Sequence, residues 1–133
     1  MSWSDQRLVI AVLNNRDLNQ VTWEQRVMSG DAKLDASQVL PNFDYAGYAR
    51  TLGLHGARVE RPEDVGAAWD EALAAGKPAV IEFITYPEVP PLPPHVQFEQ
   101  AKMLARAIAQ GDPAAPRFVR ESLRGKLAEF LTR

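Results

Sequence analysis

The sequence of 133 residues contains no cysteine, which removes disulfides and thiolate metal sites. Its two histidines, His55 and His95, stand far apart in unlike surroundings, a poor basis for zinc. No apolar run approaches the roughly 20 residues that a membrane helix needs. Residues 1–7 hold Asp5 and Arg7 without an apolar stretch, so they do not read as a secretory signal. The net charge is -2 and no lysine or arginine cluster stands out, which argues against a nucleic-acid partner. No Ser/His/Asp or Cys/His arrangement and no glycine-rich phosphate loop occurs. These absences predict a cytoplasmic protein with neither membrane nor nucleic acid as partner. A hydrophobic share of 46% and a charged share of 24% fit one globular domain, or a piece of a larger one.

What is present begins with residues 8–13, a continuous apolar run of strand length. Such a run, without alternation, predicts a strand covered on both faces of a parallel sheet. It stops at Asn14-Asn15. Ligands of open α/β sheets sit just beyond the carboxyl ends of strands, so a binding loop would start at this pair. Residues 18–26 read as a loop with one helical turn, and 27–40 as a surface loop. A helix is predicted over 43–52, capped by Asn42 and ended by Gly53. A short strand follows at 57–60. Pro62, Glu63 and Asp64 then suit the first turn of a helix whose stripe is Val65, Ala68, Trp69, Ala72 and Leu73, closed by Gly76. Residues 79–84 are the third strand.

Strand, helix, strand, helix, strand is the pattern of right-handed parallel crossovers. The expected fold class is α/β: a partial three-layer α/β/α arrangement with a short parallel sheet of about three strands, then C-terminal helices. Residues 87–94, with five prolines in eight residues, read as a stiff extended connector. A helix over 97–109 would bury Ala101, Leu104, Ala105 and Ile108. Asp112-Pro113 would cap a last helix with Val119, Leu123, Leu127 and Phe130 on its apolar side.

Taken alone, Asn14-Asn15 reads as a polar turn, since asparagine favours turns. An amide oxygen is also a competent ligand for a hard cation such as Mg²⁺, given further oxygens from Asp17 or a diphosphate. His55, His95 and Glu24 could titrate, but none has an evident partner. Tyr45 and Tyr48 read as packing.

Three stretches together carry a resemblance: LVIAVLNNRDLNQVTWEQR, LPNFDYAGYARTLGLHGARVERPEDVGAAWDEALAAGKPAVIEFIT and PEVPPLPPH. In order and spacing, residues 8–95 resemble the C-terminal, diphosphate-binding domain of thiamine-diphosphate-dependent enzymes of the pyruvate oxidase and acetolactate synthase group. The resemblance implies thiamine diphosphate and Mg²⁺ as cofactors and a 2-keto acid such as pyruvate as substrate. It places Asn14 and Asn15 at the end of the cofactor signature. Asn15 would hold Mg²⁺ through its side chain and Asp17 through its backbone carbonyl, while Asn14 braces the loop. Gln20 and Val21 match positions that face the thiazolium and the substrate. No residue of this chain is implied as catalytic.

The same resemblance implies that residues 1–86 are the C-terminal half of the cofactor domain, 87–96 a connector and 97–133 a helical extension. The Gly-Asp-Gly start of the signature, and the domain whose glutamate activates the cofactor, have no counterpart in this sequence. Tyr86 stands where relatives often carry aspartate. The expectation is therefore a C-terminal fragment of such an enzyme, inactive alone. Its partner would be either the missing N-terminal half or a second copy paired at the exposed edge of residues 8–13. The alternative is a non-catalytic interaction or regulatory module that keeps the fold and pairs with another chain.

Overall fold

A computed structural model describes residues 8–89 and 98–131, with side chains as far as Arg124. Trp3, His95, most of the proline run and the side chains of Leu127 and Phe130 lie outside the described residues. In chain order the elements are β1 (Val9–Asn14), α1 (Asn19–Glu24) continuing as a π-helical turn (Gln25–Ser29), α2 (Asp35–Gln38) and α3 (Tyr45–Thr51). There follow β2 (His55–Val59), a 3₁₀ turn (Pro62–Asp64) leading into α4 (Val65–Ala74), β3 (Ala79–Ile84), α5 (Phe98–Ala109) and α6 (Ala115–Leu131). They form two compact units, one of residues 8–15 and 41–85, the other of 16–40 with 86–89 and 98–131.

The first unit is the expected parallel sheet, three strands in the order β1-β3-β2 with helices on both faces. Its register pairs Ala11 and Ala57 with Ile81, and Leu13 and Val59 with Phe83. On that face Val59, Ile81 and Ala79 pack against Ala68 and Ala72 of α4. On the opposite face α3 sits so close that a Cβ at Gly56 would lie 2.1 Å from the Ala46 carbonyl oxygen. Only glycine permits that approach.

Three expectations for this unit are corrected. The run 8–13 is not covered on both faces. β1 is an edge strand, Leu13 is 71% exposed, and β3 is the central strand with Ile81 fully buried. The reason is that α3 and α4 pack chiefly on β2 and β3. Asp44, not Asn42, caps α3, its Oδ1 accepting from the Gly47 N–H at 2.7 Å. β2 begins at His55 rather than Ala57. The stops at Gly53 and Gly76 (φ 79° and 64°) and the proline-led start of α4 are as expected.

The second unit replaces the predicted loops of 18–40 with helix. α1 and its π turn present Thr22, Trp23 and Arg26 inward, and α2 follows with Gln38 buried. Trp23 packs edge-on to Phe118, ring centroids 5.2 Å apart, beside Ala114 and Ala115. The Arg26 guanidinium lies against both rings, 4.5 Å from the Trp23 centroid and 4.6 Å from that of Phe118, a contact that the planar cation favours. Its Nε and Nη2 donate to Asp112 at 2.8 and 2.9 Å. Asp112 also accepts from the backbone N–H of Lys33 and of Ala114, so the residue expected to cap α6 holds the turn before it and is a buried ion-pair partner.

The helix faces shift accordingly. α5 buries Ala107, with Met103 and Leu104 half-buried, instead of Ala101, Ala105 and Ile108. The backbone at Gly30 (φ 69°) comes so near α5 that a Cβ there would meet the Met103 carbonyl oxygen at 3.2 Å. α6 buries Phe118, while Val119 and Leu123 face solvent.

Candidate cofactor-binding strand end

β1 delivers Asn14 to the carboxyl end of a parallel strand, opposite Ile84 of β3. The Asn14 backbone carbonyl accepts from the Thr85 N–H at 3.1 Å, so the pairing runs one step past the strand. Its side chain is buried and donates through Nδ2 to Glu82 Oε1 at 2.6 Å and, more weakly, to the Phe43 carbonyl at 3.4 Å. Glu82 is fully buried in the central strand. Besides Asn14 it accepts from the Ala46 N–H and from Arg58 Nη1, each at 3.3 Å. A buried carboxylate persists when donors satisfy it, and here they fix the asparagine that ends β1. No motif in the sequence marks Glu82 as functional. The signal was there: it is the only charge in AVIEFI.

Asn15 follows, half-buried. Arg16 then takes the left-handed conformation, φ 56°, the only positive φ at a non-glycine among the described residues. Such backbone costs about 1 kcal/mol or more and marks a place where the chain is held by its surroundings.

In the second unit, Asp17 sits opposite Val39 in an isolated antiparallel bridge whose hydrogen bonds use the carbonyls of Gln38 and Arg16. Its carboxylate is buried in an ion pair with Lys33, and the Thr22 hydroxyl lies 3.1 Å from Oδ1. The Asp17 side chain is therefore committed to this unit's interior. Gln20 and Val21 lie on the exposed side of α1, where Gln20 Nε2 donates to Glu24 at 2.9 Å. Glu24 is likewise exposed. Tyr45 and Tyr48 pack with Phe43, centroids 4.8 and 5.7 Å away.

Among the described residues no group of three or more histidine, aspartate or glutamate side chains could hold a metal ion. The end of β1 presents the side-chain amides of Asn14 and Asn15 together with backbone carbonyls, all neutral oxygens. They suit a hard cation whose charge is balanced by another ligand, such as phosphate.

Residues 4–83 match the family model for the thiamine pyrophosphate enzyme, C-terminal TPP binding domain. The chain belongs to this family. Thiamine pyrophosphate is the thiamine diphosphate of the sequence resemblance, so the family implied by the three quoted stretches is the one found. A Bacillus subtilis (strain 168) protein, YdaP, named as a thiamine pyrophosphate-containing protein, is 30% identical over 120 residues, 90% of this chain. The match spans 20% of that relative's length. No helix among the described residues is long and apolar enough to cross a membrane.

Proposed function

We propose that this chain is the C-terminal portion of a cytoplasmic thiamine-diphosphate- and Mg²⁺-dependent enzyme acting on 2-keto acids such as pyruvate. In this reading Asn15 binds Mg²⁺ through its amide oxygen and Asp17 through its backbone carbonyl, leaving the Asp17 carboxylate to Lys33. Asn14 braces the turn. Gln20 and Val21, on the exposed side of α1, contact the thiazolium and the substrate. The observation that carries the reading is the Asn14–Glu82 hydrogen bond, 2.6 Å long and buried, which fixes the strand end from which Asn15 departs. When bound, thiamine diphosphate supplies the electron sink for cleaving the bond next to the keto carbon. The residues of this chain bind and orient. None of them is assigned a proton transfer, so the isolated chain has no turnover of its own.

The test is a nuclear magnetic resonance titration with thiamine diphosphate and Mn²⁺, a paramagnetic substitute for Mg²⁺. Signals of Asn15 and Asp17 should broaden first, and Asn15→Ala should remove the effect. Broadening elsewhere with none at Asn15 and Asp17 defeats the proposal. Turnover of pyruvate by the chain with cofactor and Mg²⁺ alone defeats the fragment reading.

A further inference from the structure

The α3 face of the sheet carries a row of charge. Register sets Arg58 of β2 and Val12 of β1 on either side of Glu82, and Asn14, two residues beyond Val12, shares their face. The groups that reach the buried Glu82 carboxyl all donate. Asn14 Nδ2 and Arg58 Nη1 meet Oε1 at 2.6 and 3.3 Å, and the Ala46 N–H meets Oε2 at 3.3 Å. A neutral acid or an amide in this place would turn a hydrogen toward one of these donors, so the site is shaped for a carboxylate. Among the described residues Arg58 is the one cation within ion-pair reach of Glu82. Its side chain is 34% exposed and also donates through Nε to Glu60 at 2.9 Å, on the open side. A buried carboxylate needs donors for its lone pairs and a countercharge, and Arg58 brings the countercharge. Asn14 Nδ2 in turn faces two acceptors, Glu82 and the Phe43 carbonyl. The amide cannot turn over without setting its oxygen against both.

We propose that Arg58 and Glu82 are positioning residues for the cofactor: Arg58 offsets the charge of Glu82, and Glu82 locks the Asn14 amide so that Asn15 leaves β1 in a fixed direction toward the metal. The inference rests on the functional reading above, which gives Asn15 its role and asks nothing of Arg58. A purely structural role for Glu82 would be to hold the first turn of α3 through the Ala46 N–H. That role needs neither a fixed orientation of the Asn14 amide nor a positive charge at residue 58. The two roles therefore part at Asn14 and at Arg58.

The test compares the full chain with Glu82→Gln, Arg58→Gln, Arg58→Lys and Glu60→Gln. Nuclear magnetic resonance reads the Asn14 side-chain amide protons without ligand. It then reads the affinity for Mn²⁺ in the presence of thiamine diphosphate, from broadening at Asn15. In the unaltered chain one Asn14 Nδ2 proton should lie far downfield and exchange slowly, as a donor to a buried carboxylate does. Glu82→Gln should remove that signal and weaken Mn²⁺ binding about tenfold or more, the scale for losing a residue that orients a metal site. Arg58→Gln should weaken binding by less, and Arg58→Lys, which keeps the charge, should restore it. Glu60→Gln is a control without effect. Amide exchange at Ile81, fully buried on the opposite face of β3, should stay unchanged and report that each variant is folded. Should Glu82→Gln fail to fold, the two substitutions at the part-exposed Arg58 decide alone. An Asn14 signal indifferent to Glu82→Gln, Mn²⁺ affinity unchanged in that folded variant, or Arg58→Lys as weak as Arg58→Gln overturns the inference. If the unaltered chain takes up no Mn²⁺ with thiamine diphosphate, the functional reading falls and the cofactor part of the inference falls with it. The Asn14 signal then shows by itself whether Glu82 locks the amide.

Discussion

The two units are held together by different means. The sheet unit buries small apolar residues in layers, Ala68 and Ala72 of α4 against Ala79 and Ile81 of β3. The other unit is centred on a charge: Arg26, fully buried, packed against two aromatic rings and paired with Asp112. An apolar layer loses stability in proportion to the surface removed from it. A buried ion pair stabilises little relative to an apolar substitute, yet breaking one partner leaves a charge stranded. The second unit should therefore be the more brittle of the two.

The sharpest break is Asp112→Asn. It removes the carboxylate that Arg26 Nε and Nη2 both contact, leaving Glu88 at 4.0 Å as the remaining partner, and should cost about 3 kcal/mol, the scale for removing one partner of a buried pair. Hydrogen exchange should rise across α1, α5 and α6 and leave β3 largely protected. Collapse of protection in β3 instead would mean that the units do not unfold separately. Ile81→Ala is the counterpart in the sheet unit. Loss of a fully buried side chain should cost about 3 kcal/mol and loosen β2 and β3 first.

The pH dependence separates two acids of the second unit. Burial pushes the Glu88 carboxyl above its ordinary 4.5, only partly offset by Lys33, Arg26 and Arg117. Burial pushes Asp112 upward too, but hydrogen bonds from Arg26 and from the N–H groups of Lys33 and Ala114 outweigh it, holding it below 3.8. The raised group favours the fold fully below about pH 4.5 and loses that contribution as pH rises through its higher native value. The lowered group contributes above about pH 3.8 and loses its share as pH falls through its lower native value. Urea midpoints should therefore hold or rise on acidification toward about pH 4.5, then drop once the medium falls below about pH 3.8. Glu88→Gln should flatten the first limb. A monotonic loss of stability from neutral pH would contradict this assignment.

The smallest effect is expected at a surface cap. Asp44→Ala removes the acceptor for the Gly47 N–H and should cost about 1 kcal/mol, read from faster exchange in the first turn of α3.

The sheet unit was largely legible. Residues 79–84 appear as β3 with the predicted ends, and the proline at 62 and the glycines at 53 and 76 sit where the helices start and stop. Residues 16–40 were not. Thr22, Arg26, Lys33 and Gln38 face inward although their types favour water, so periodicity of apolar residues carried no sign of the helices they build. The candidate site divides in the same way. Asn14 and Asn15 stood out by position after an apolar run, whereas Glu82 and the Asp17–Lys33 pair emerged only from the fold.

By itself the sequence determined the family and, in the sheet unit, the order of strands and helices and the parallel sense of the sheet. The family follows from the resemblance carried by three stretches, and the rest from short-range patterns: apolar runs, caps and crossover length. Tertiary structure alone decided that Asn14 answers to Glu82 and that Arg26 is neutralised by Asp112. Those partners lie 68 and 86 residues away along the chain. Local pattern records whether a segment faces a core, but the partner of a buried polar group is fixed only when distant segments meet.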